Sequence, residues 1–420
     1  MRGSGTEFVP GFLLATQPLQ FSGKPRFIRE EMSDPSEGEV CGKHYATGEL
    51  IRLRWANGKI SEMERMRADS SETISTSAAT ASDVWIAPGL FDAQVNGYGG
   101  VDFQQDGLKA GDLVSAARQL RNAGCTRFLL TLITDEWTNL MRRLRHLKEL
   151  REQSAELQAA IAGWHIEGPF LSTEPGFHGA HNPALMCDPT PEHIRELRSI
   201  TENDPLLLTL APERPGTIEV IEDAVLRGIK ISLGHTNASA EVLLRAVRAG
   251  ASSFTHLANG CPRELDRHDN ILWRVFETPD LMVGVIPDKI HVSPSLFRVL
   301  HRNLVLDWIY YVSDAMSAAG MAPGKYKLGK LELEVGMDQV VRQPGKPLFA
   351  GSALRPIDGV FRAAEMLSWP WQQAWPRFSE APARLMGLRN ELEVEGRADF
   401  CVLTVAEENQ LMELRTHAAG

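Results

Sequence analysis

The sequence predicts an α/β protein, a (β/α)8 TIM-like barrel with a small β-sandwich domain built from both chain ends. Eight apolar, strand-like segments alternate, for the most part, with segments of helical periodicity over about 300 residues, as in a closed barrel. Both chain ends instead alternate charged and apolar side chains, which is typical of half-exposed strands. No glycine-rich phosphate fingerprint opens a helix, so an open dinucleotide-binding sheet is disfavoured.

The barrel strands are predicted in chain order from their apolar runs. They lie at 84–88, 126–133, 160–167, 206–211, 229–234, 252–256, 281–286 and 308–313. Most are separated by helical patterns, which lie at 108–123, 138–157, 191–200, 217–226, 240–249 and 295–301. Each strand followed by a helix is the repeating unit of a (β/α)8 barrel.

The chain ends predict the second domain. Residues 49–55 alternate in polarity and are followed by the turn signal Asn57-Gly58, which indicates a hairpin. Segments 390–394 and 399–403 are also strand-like, and the Ser/Thr/Ala-rich stretch 70–82 is predicted as a loop. We therefore expect a β domain from 33–84 and 385–420, a catalytic barrel from 85–384, and a leader or tag-like segment at 1–32.

Composition excludes several classes of partner. The chain has 420 residues, a formal net charge of −10 and no run of Lys or Arg, which argues against nucleic acid or an anionic membrane as the main partner. The 5 cysteines are widely spaced without a CxxC pair, so neither a disulfide framework nor a cysteine-rich zinc module is indicated. With no signal-peptide pattern and no apolar run of about 18 residues, we expect a cytoplasmic protein.

Four apolar runs each end at a strong metal-binding or proton-carrying side chain. These residues are Glu167, His235, His256 and Asp314. Barrel enzymes build their active sites at the carboxyl ends of the strands, and Glu is almost never fully buried without a partner. One carboxylate and two imidazoles suit a divalent metal with an open position for water, and Asp314 supplies a base. The structural alternative for Asp314 is a helix N-cap.

Seven ordered segments resemble N-acetylglucosamine-6-phosphate deacetylases, a family of the amidohydrolase superfamily. The similar segments span roughly residues 85–400 and begin at Ala87-Pro88-Gly89, His165-Ile166-Glu167-Gly168-Pro169, Gly179-Ala180-His181-Asn182, Leu233-Gly234-His235-Thr236, Thr255-His256-Leu257-Ala258-Asn259, Ser313-Asp314-Ala315-Met316 and Ala350-Gly351-Ser352. The resemblance implies hydrolysis of the acetamide of N-acetylglucosamine-6-phosphate, or a close amino-sugar phosphate, in amino-sugar catabolism. It also implies a homodimer and a small-molecule partner.

The resemblance makes Gln94 and Asn96 relevant to the number of metal ions expected. Many amidohydrolases carry a His-x-His pair at the end of the first strand, where this chain reads Gln94-Val95-Asn96. Neutral amides compete poorly with imidazole and carboxylate for zinc, so we expect one tightly held Zn2+ per chain. Two alternatives stay open: Gln94 supports a weak second site, or both amides only hydrogen-bond the mouth of the strand.

The resemblance also implies the residues that bind substrate. His181 would face the acetyl carbonyl, and the other substrate-binding residues would be Asn259, Gly260, Arg267, His291, Phe349, Ala350 and Gly351. In the family, an arginine of the loop holding Arg267 enters the neighbouring subunit's site. Arg263 is an equal candidate for the phosphate on sequence alone.

Several alternatives remain open on sequence alone. His178 is a rival to His181, and His165 a rival ligand because it points the same way as Glu167, two residues on. The same scaffold would also serve an amidohydrolase acting on a cyclic amide or an N-acyl amino acid, or a non-catalytic binding protein, because fold does not fix function.

Overall fold

The computed structural model describes residues 37–66, 84–345, 349–406 and 409–419. The leader predicted at 1–32 and the loop predicted at 70–82 lie outside the described residues. Within the described ranges, no helix has the length and apolar character needed to cross a membrane.

The main sheet has eight strands that pair in parallel in sequence order. These barrel strands are Leu90–Val95, Cys125–Ile133, Ile161–Glu167, Leu206–Leu210, Lys230–Leu233, Ser253–Phe254, Met282–Val285 and Ile309–Tyr311. A parallel bridge between Val95 and Ala315 joins the first strand to the end of the eighth, and Asn96 N donates to Ala315 O at 2.7 Å. The predicted barrel is therefore confirmed.

The described helices follow the strands as expected and cover the outside of the barrel. They span Ala110–Asn122, Trp137–Glu152, Ala155–Ala160, Pro191–Thr201, Thr217–Leu226, Ala240–Arg248, Ile271–Glu277, Pro294–Asn303, Pro356–Leu367, Trp371–Ala374 and Glu380–Leu385. Several begin at a Ser, Thr or Asn whose side chain accepts a hydrogen bond from the first turn, as do Thr190, Ser239 and Ser293. Such caps satisfy backbone N–H groups that have no partner inside the helix.

A second sheet is built from both chain ends, as predicted. Its six strands are Glu37–His44, Leu50–Ala56, Lys59–Arg65, Val84–Pro88, Phe400–Ala406 and Gln410–His417. The Asn57-Gly58 turn joins the second and third strands, and the turn residues both have positive φ. Its core holds Leu53, Trp55, Ile60, Ile86 and Phe400.

Two strand predictions were wrong. Val84–Pro88 belongs to the sheet of the chain ends, and the first barrel strand is Leu90–Val95. The two strands form one apolar run, so hydrophobicity alone could not divide it between two sheets. Segment 390–394 is not a strand. The Asn390 side chain instead donates to Gly89 O and accepts from Arg127. We propose the domain boundary at Gly89 rather than at residue 85.

A small antiparallel sheet between the eighth barrel strand and the next helix was not predicted. It comprises Gly324–Leu328, Leu331–Val335 and Val341–Arg342. The turn after its first strand is held by a hydrogen bond of 2.8 Å from Gly329 N to the Asp102 carboxylate. Asp102 lies in a short hairpin, Gly97–Tyr98 with Val101–Asp102, just after the first barrel strand. The inserted sheet is thereby fixed beside the mouth of the barrel.

The packing of the barrel gives a stability prediction. Leu208 lies in the fourth barrel strand with 0% of its surface exposed, whereas Leu226 is 86% exposed. Leu208→Ala removes buried methyl groups and leaves a cavity, so the free energy of unfolding should fall by about 2–5 kcal/mol. Leu226→Ala, the matched control, should change it by no more than about 0.5 kcal/mol. Urea unfolding measures both, and equal losses would contradict the barrel core.

Candidate active site

The four polar residues predicted at strand ends meet at one mouth of the barrel. Glu167 is the last residue of the third strand, and His235, His256 and Asp314 follow the fifth, sixth and eighth strands. These last three have left-handed backbones, with φ of 48°, 26° and 51°. Non-glycine residues rarely adopt this conformation, and strain of this kind clusters at functional sites. It turns each side chain sharply off its strand.

The Glu167 carboxylate is the centre of the site. Its Oε1 lies 2.9 Å from His256 Nε2 and 3.3 Å from His235 Nε2. Its Oε2 lies 3.7 Å from His181 Nε2. One ligand atom from each of Glu167, His235 and His256 falls within 4.8 Å of the others, so these three residues form a group that could hold a metal ion.

The protonation of His235 tests whether a cation fits this group. His235 Nδ1 lies 3.0 Å from Phe177 O, which only accepts, so Nδ1 carries the ring proton. In the neutral ring, Nε2 is then a bare acceptor that faces a carboxylate oxygen. A shared cation satisfies both atoms, and one carboxylate with two imidazoles is a zinc ligand set. The predicted ligands therefore fit a divalent metal.

Two glycines fix the orientation of the His235 ring. A Cβ at Gly260 would lie 2.7 Å from His235 Nδ1, and one at Gly179 would lie 2.9 Å from Cε1. Both glycines also have positive φ. The ring is thus held between two backbone segments that approach too closely for any side chain.

Burial and hydrogen bonding act in opposite directions on the charges of this group. Burial would raise the pKa of Glu167, but its contacts with His235 and His256 lower it well below its usual range. Burial would lower the pKa of His256, but its bond to Glu167 raises it. The carboxylate is therefore ionised and needs positive charge beside it.

Asp314 lies beside this group and is held by the two amides of the first strand. Its Oδ1 accepts from Asn96 Nδ2 at 2.7 Å and from Gln94 Nε2 at 3.1 Å. Gln94 Nε2 also donates to Glu167 Oε1 at 3.1 Å. Burial raises the pKa of Asp314 to about 6, against the lowering effect of His256. A carboxyl group with such a pKa is suited to proton transfer near neutral pH.

These hydrogen bonds bear on the two roles left open for Gln94 and Asn96. Both amides donate to carboxylates, which supports the hydrogen-bonding role rather than a second metal site. Beneath them, the buried Asp92 carboxylate accepts from Gln94 N and Ser313 N, each at 3.2 Å. This contact ties the first strand to the segment that carries Asp314.

The other three candidate histidines occupy different positions. His181 lines the cavity, and its Nδ1 lies 2.8 Å from Thr134 Oγ1. Burial lowers the pKa of His181 to about 3. His165 lies deeper in the barrel, where its Nε2 is 2.8 Å from Thr209 Oγ1, and His178 is not among the cavity-lining residues of the described chain. The geometry favours His181 over His178 at the cavity and leaves His165 outside the group that could hold a metal.

The site opens into a cavity of about 370 Å3. Its lining includes most of the predicted substrate-binding residues, namely His181, Asn259, Gly260, His291, Phe349, Ala350 and Gly351. In the described chain, Arg263 lines this cavity whereas Arg267 does not; Arg267 is exposed, with its Nε 2.9 Å from His268 Nε2. The role of Arg267 in phosphate binding therefore stays a prediction, because it depends on a second subunit.

Sequence reasoning missed the apolar wall of the cavity. Leu328 and Leu331 flank the turn of the inserted sheet, and Leu272 and Leu296 lie on two outer helices. Nothing distinguishes these leucines from core residues in the sequence. Thr134 and Asp288, which contact His181 and His291, were also missed. The three-residue spacing from Asp288 to His291 is the one signal that could have indicated a local carboxylate–imidazole pair.

Comparison with known proteins gives consistent relatives. No protein-family model matches the chain. The chain is 30% identical over 392 residues to N-acetylglucosamine-6-phosphate deacetylase of Danio rerio, covering 88% of this chain and 93% of the relative. It is 32% identical over 343 residues to the protein of that name from Bos taurus, covering 76% and 79%.

Solved structures agree with these relatives. An N-acetyl-D-glucosamine-6-phosphate deacetylase mutant from Mycobacterium smegmatis, in complex with N-acetyl-D-glucosamine-6-phosphate, has a TM-score of 0.79 and 27% identity. The match covers 90% of this chain and 97% of that one. N-acetylglucosamine-6-phosphate deacetylase from Pasteurella multocida, at 24% identity and a TM-score of 0.79, covers 91% and 99% and supports the fold.

The ligand geometry gives a metal prediction. Elemental analysis of the purified protein should find about one tightly bound divalent ion per chain, because neutral amides bind zinc weakly. His256→Asn should lose most of it. His165→Asn, the control, changes a buried histidine that contacts hydroxyl groups and should keep it. Two similarly tight ions per chain would contradict this assignment.

Proposed function

The chain belongs to the N-acetylglucosamine-6-phosphate deacetylase family, and from that premise we propose that it hydrolyses the acetamide of N-acetylglucosamine-6-phosphate to acetate and the amino-sugar phosphate. The reaction belongs to amino-sugar catabolism. The observation that carries the proposal is the grouping of Glu167, His235 and His256 beside Asp314 at the floor of one cavity. This arrangement supplies a ligand set and a base for amide hydrolysis.

The proposed cofactor is one Zn2+ per chain, held by Glu167, His235 and His256. When bound, such an ion would polarise the amide carbonyl and lower the pKa of water, so that water is more easily deprotonated to a nucleophile. Every other contribution comes from the side chains of the cavity. The convergence of Glu167 with two imidazole nitrogens supports this assignment, and the donation of both first-strand amides to carboxylates supports a single ion.

Asp314 is the proposed general base and acid. Its carboxylate takes a proton from the attacking water and returns it to the nitrogen of the departing amine as the tetrahedral intermediate collapses. Its position supports this role, since Oδ1 is oriented by Asn96 and Gln94 and the side chain lines the cavity beside the ligand group.

His181 is the proposed partner of the acetyl oxygen. It faces the ligand group through Nε2, and the Thr134 hydroxyl lies at Nδ1. When that hydroxyl donates to Nδ1, the neutral ring carries its proton on Nε2 and donates to the developing oxyanion.

The phosphate end is assigned to loops that line the cavity. Asn259 and Gly260 follow the sixth strand and offer amide and backbone donors, with His291 and the segment Phe349, Ala350 and Gly351 nearby. Arginine binds phosphate through two parallel N–H groups. We assign this role to Arg267 of the neighbouring subunit in a cytoplasmic homodimer. The exposure of Arg267 and its position outside its own cavity support that assignment.

Acetate release from a panel of sugars tests the function. The zinc-loaded protein should release acetate from N-acetylglucosamine-6-phosphate much faster than from N-acetylglucosamine, because only the first reaches the phosphate-binding loops. Equal turnover of both sugars would contradict the proposed phosphate-binding site. Hydrolysis of N-acyl amino acids or cyclic amides, without acetate release from either sugar, would refute the substrate class.

Asp314→Asn tests the proton-transfer role. The change keeps shape but removes the proton acceptor, so kcat should fall by roughly a hundredfold or more. Metal content, measured on the same sample, should stay near that of the unchanged protein. Full activity in the variant would mean that another group is the base.

Arg267→Ala tests the shared phosphate site. We expect kcat/KM for the phosphorylated sugar to fall by the equivalent of about 2–5 kcal/mol, the loss on truncating a buried charged partner. Activity on the unphosphorylated sugar should barely change. Arg263→Ala is the matched control with the smaller expected loss. A larger loss in Arg263→Ala would instead place the arginine of the same chain at the phosphate.

A further inference from the structure

The loop after the seventh barrel strand contains a carboxylate–imidazole pair, of which His291 is placed at the phosphate end and Asp288 has no role so far. His291 Nδ1 lies 2.6 Å from Asp288 Oδ2. Both side chains are almost completely buried, with 6% of His291 and 3% of Asp288 exposed. The pair lies at the cavity wall, because His291 is one of the lining residues.

Several contacts hold Asp288 in place. Its Oδ1 accepts from the backbone N–H groups of Ile290 and His291, each at 2.8 Å. Its backbone O accepts from the Arg362 guanidinium at 3.2 Å. Burial would raise the pKa of Asp288, but the hydrogen bond and charge of His291 bring it below its usual value. Asp288 is therefore an ionised, rigid acceptor.

The pairing determines which ring nitrogen faces the substrate. An ionised carboxylate only accepts, so Nδ1 of His291 must carry a proton. Within the described chain, Nε2 of His291 has no hydrogen-bond partner. The ring is also fixed by edge-to-face contact with Phe349, at 5.2 Å between centroids. A ring held from two sides in this way presents Nε2 to the cavity.

We propose that Asp288 is a positioning residue for substrate binding. It holds His291 so that Nε2 donates a hydrogen bond to the phosphate of the substrate. This proposal rests on the proposed function. A phosphate oxygen only accepts, so the bound ring must carry protons on both nitrogens. The negative charge of Asp288 on the opposite side stabilises that doubly protonated ring, as carboxylates do for histidines elsewhere.

The other charged groups around His291 lie on three elements. On its own loop, Lys289 pairs with Glu365 at 2.5 Å, so its charge is matched. Arg362 and Glu365 lie on the helix Pro356–Leu367, and Asp314 lies after the eighth strand, close enough to interact electrostatically with His291. Asp288 is the group in direct contact with the ring, so its charge is the one to remove.

Asp288→Asn removes this charge and keeps the shape. In the zinc-loaded enzyme, KM for N-acetylglucosamine-6-phosphate should rise about tenfold while kcat changes little, the effect of weakening one charge-assisted hydrogen bond. KM for N-acetylglucosamine should change far less.

Glu365→Gln is the matched control, since it removes a carboxylate from the same region without touching His291. It should leave both KM values unchanged. Equal losses for the two sugars, or a fall in kcat alone, in Asp288→Asn would overturn the proposal.

Nitrogen NMR of 15N-histidine-labelled protein tests the pair independently of turnover. The His291 signals, identified by their loss in His291→Gln, should show a protonated Nδ1 in the unchanged protein and a mixture of tautomers in Asp288→Asn. An unprotonated Nδ1 in the unchanged protein would overturn the proposal even if Asp288→Asn fails to fold. Absence of acetate release by the unchanged enzyme would instead refute the proposed function, while this spectrum still decides the pairing.

Discussion

The burial of one carboxylate, Glu167, is the constraint on which the site depends. The carboxylate is placed at the end of a barrel strand, away from water, with ring nitrogens of His235 and His256 turned toward it. A buried charge of this kind is strongly unfavourable unless it is paired or binds a metal. A divalent cation between the carboxylate and the two imidazoles would supply this pairing.

The surrounding structure holds these buried polar groups close together. Left-handed backbone at His235, His256 and Asp314 turns each side chain inward, and close packing of Gly179 and Gly260 against His235 prevents its ring from rotating. Gln94 and Asn96 direct their amide groups at Glu167 and Asp314, so these two residues orient the proposed ligand and the proposed base. Pre-organisation of this kind is what a catalytic site requires, because its groups need not rearrange during the reaction.

Sequence patterns predicted the barrel and the ligand group because each left a local signature. An apolar run ending in Glu167 or His235 is visible without knowing what lies beside it. The assignment of Val84–Pro88 failed because one apolar run served two sheets. The leucines at 328 and 331 were missed because a cavity wall and a core have the same composition. Asp288 was missed because its role depends on burial and on a contact with His291, neither of which spacing alone determines.

Anomalous X-ray scattering at the zinc edge, from crystals of the zinc-loaded protein, would show whether Glu167 and the two imidazoles hold a metal ion. We expect one strong peak, at bonding distance from Glu167, His235 and His256, with Asp314 beside it and outside its ligand shell. A peak bonded instead to Gln94 and Asn96, or no ordered ion between Glu167 and the two imidazoles, would contradict it.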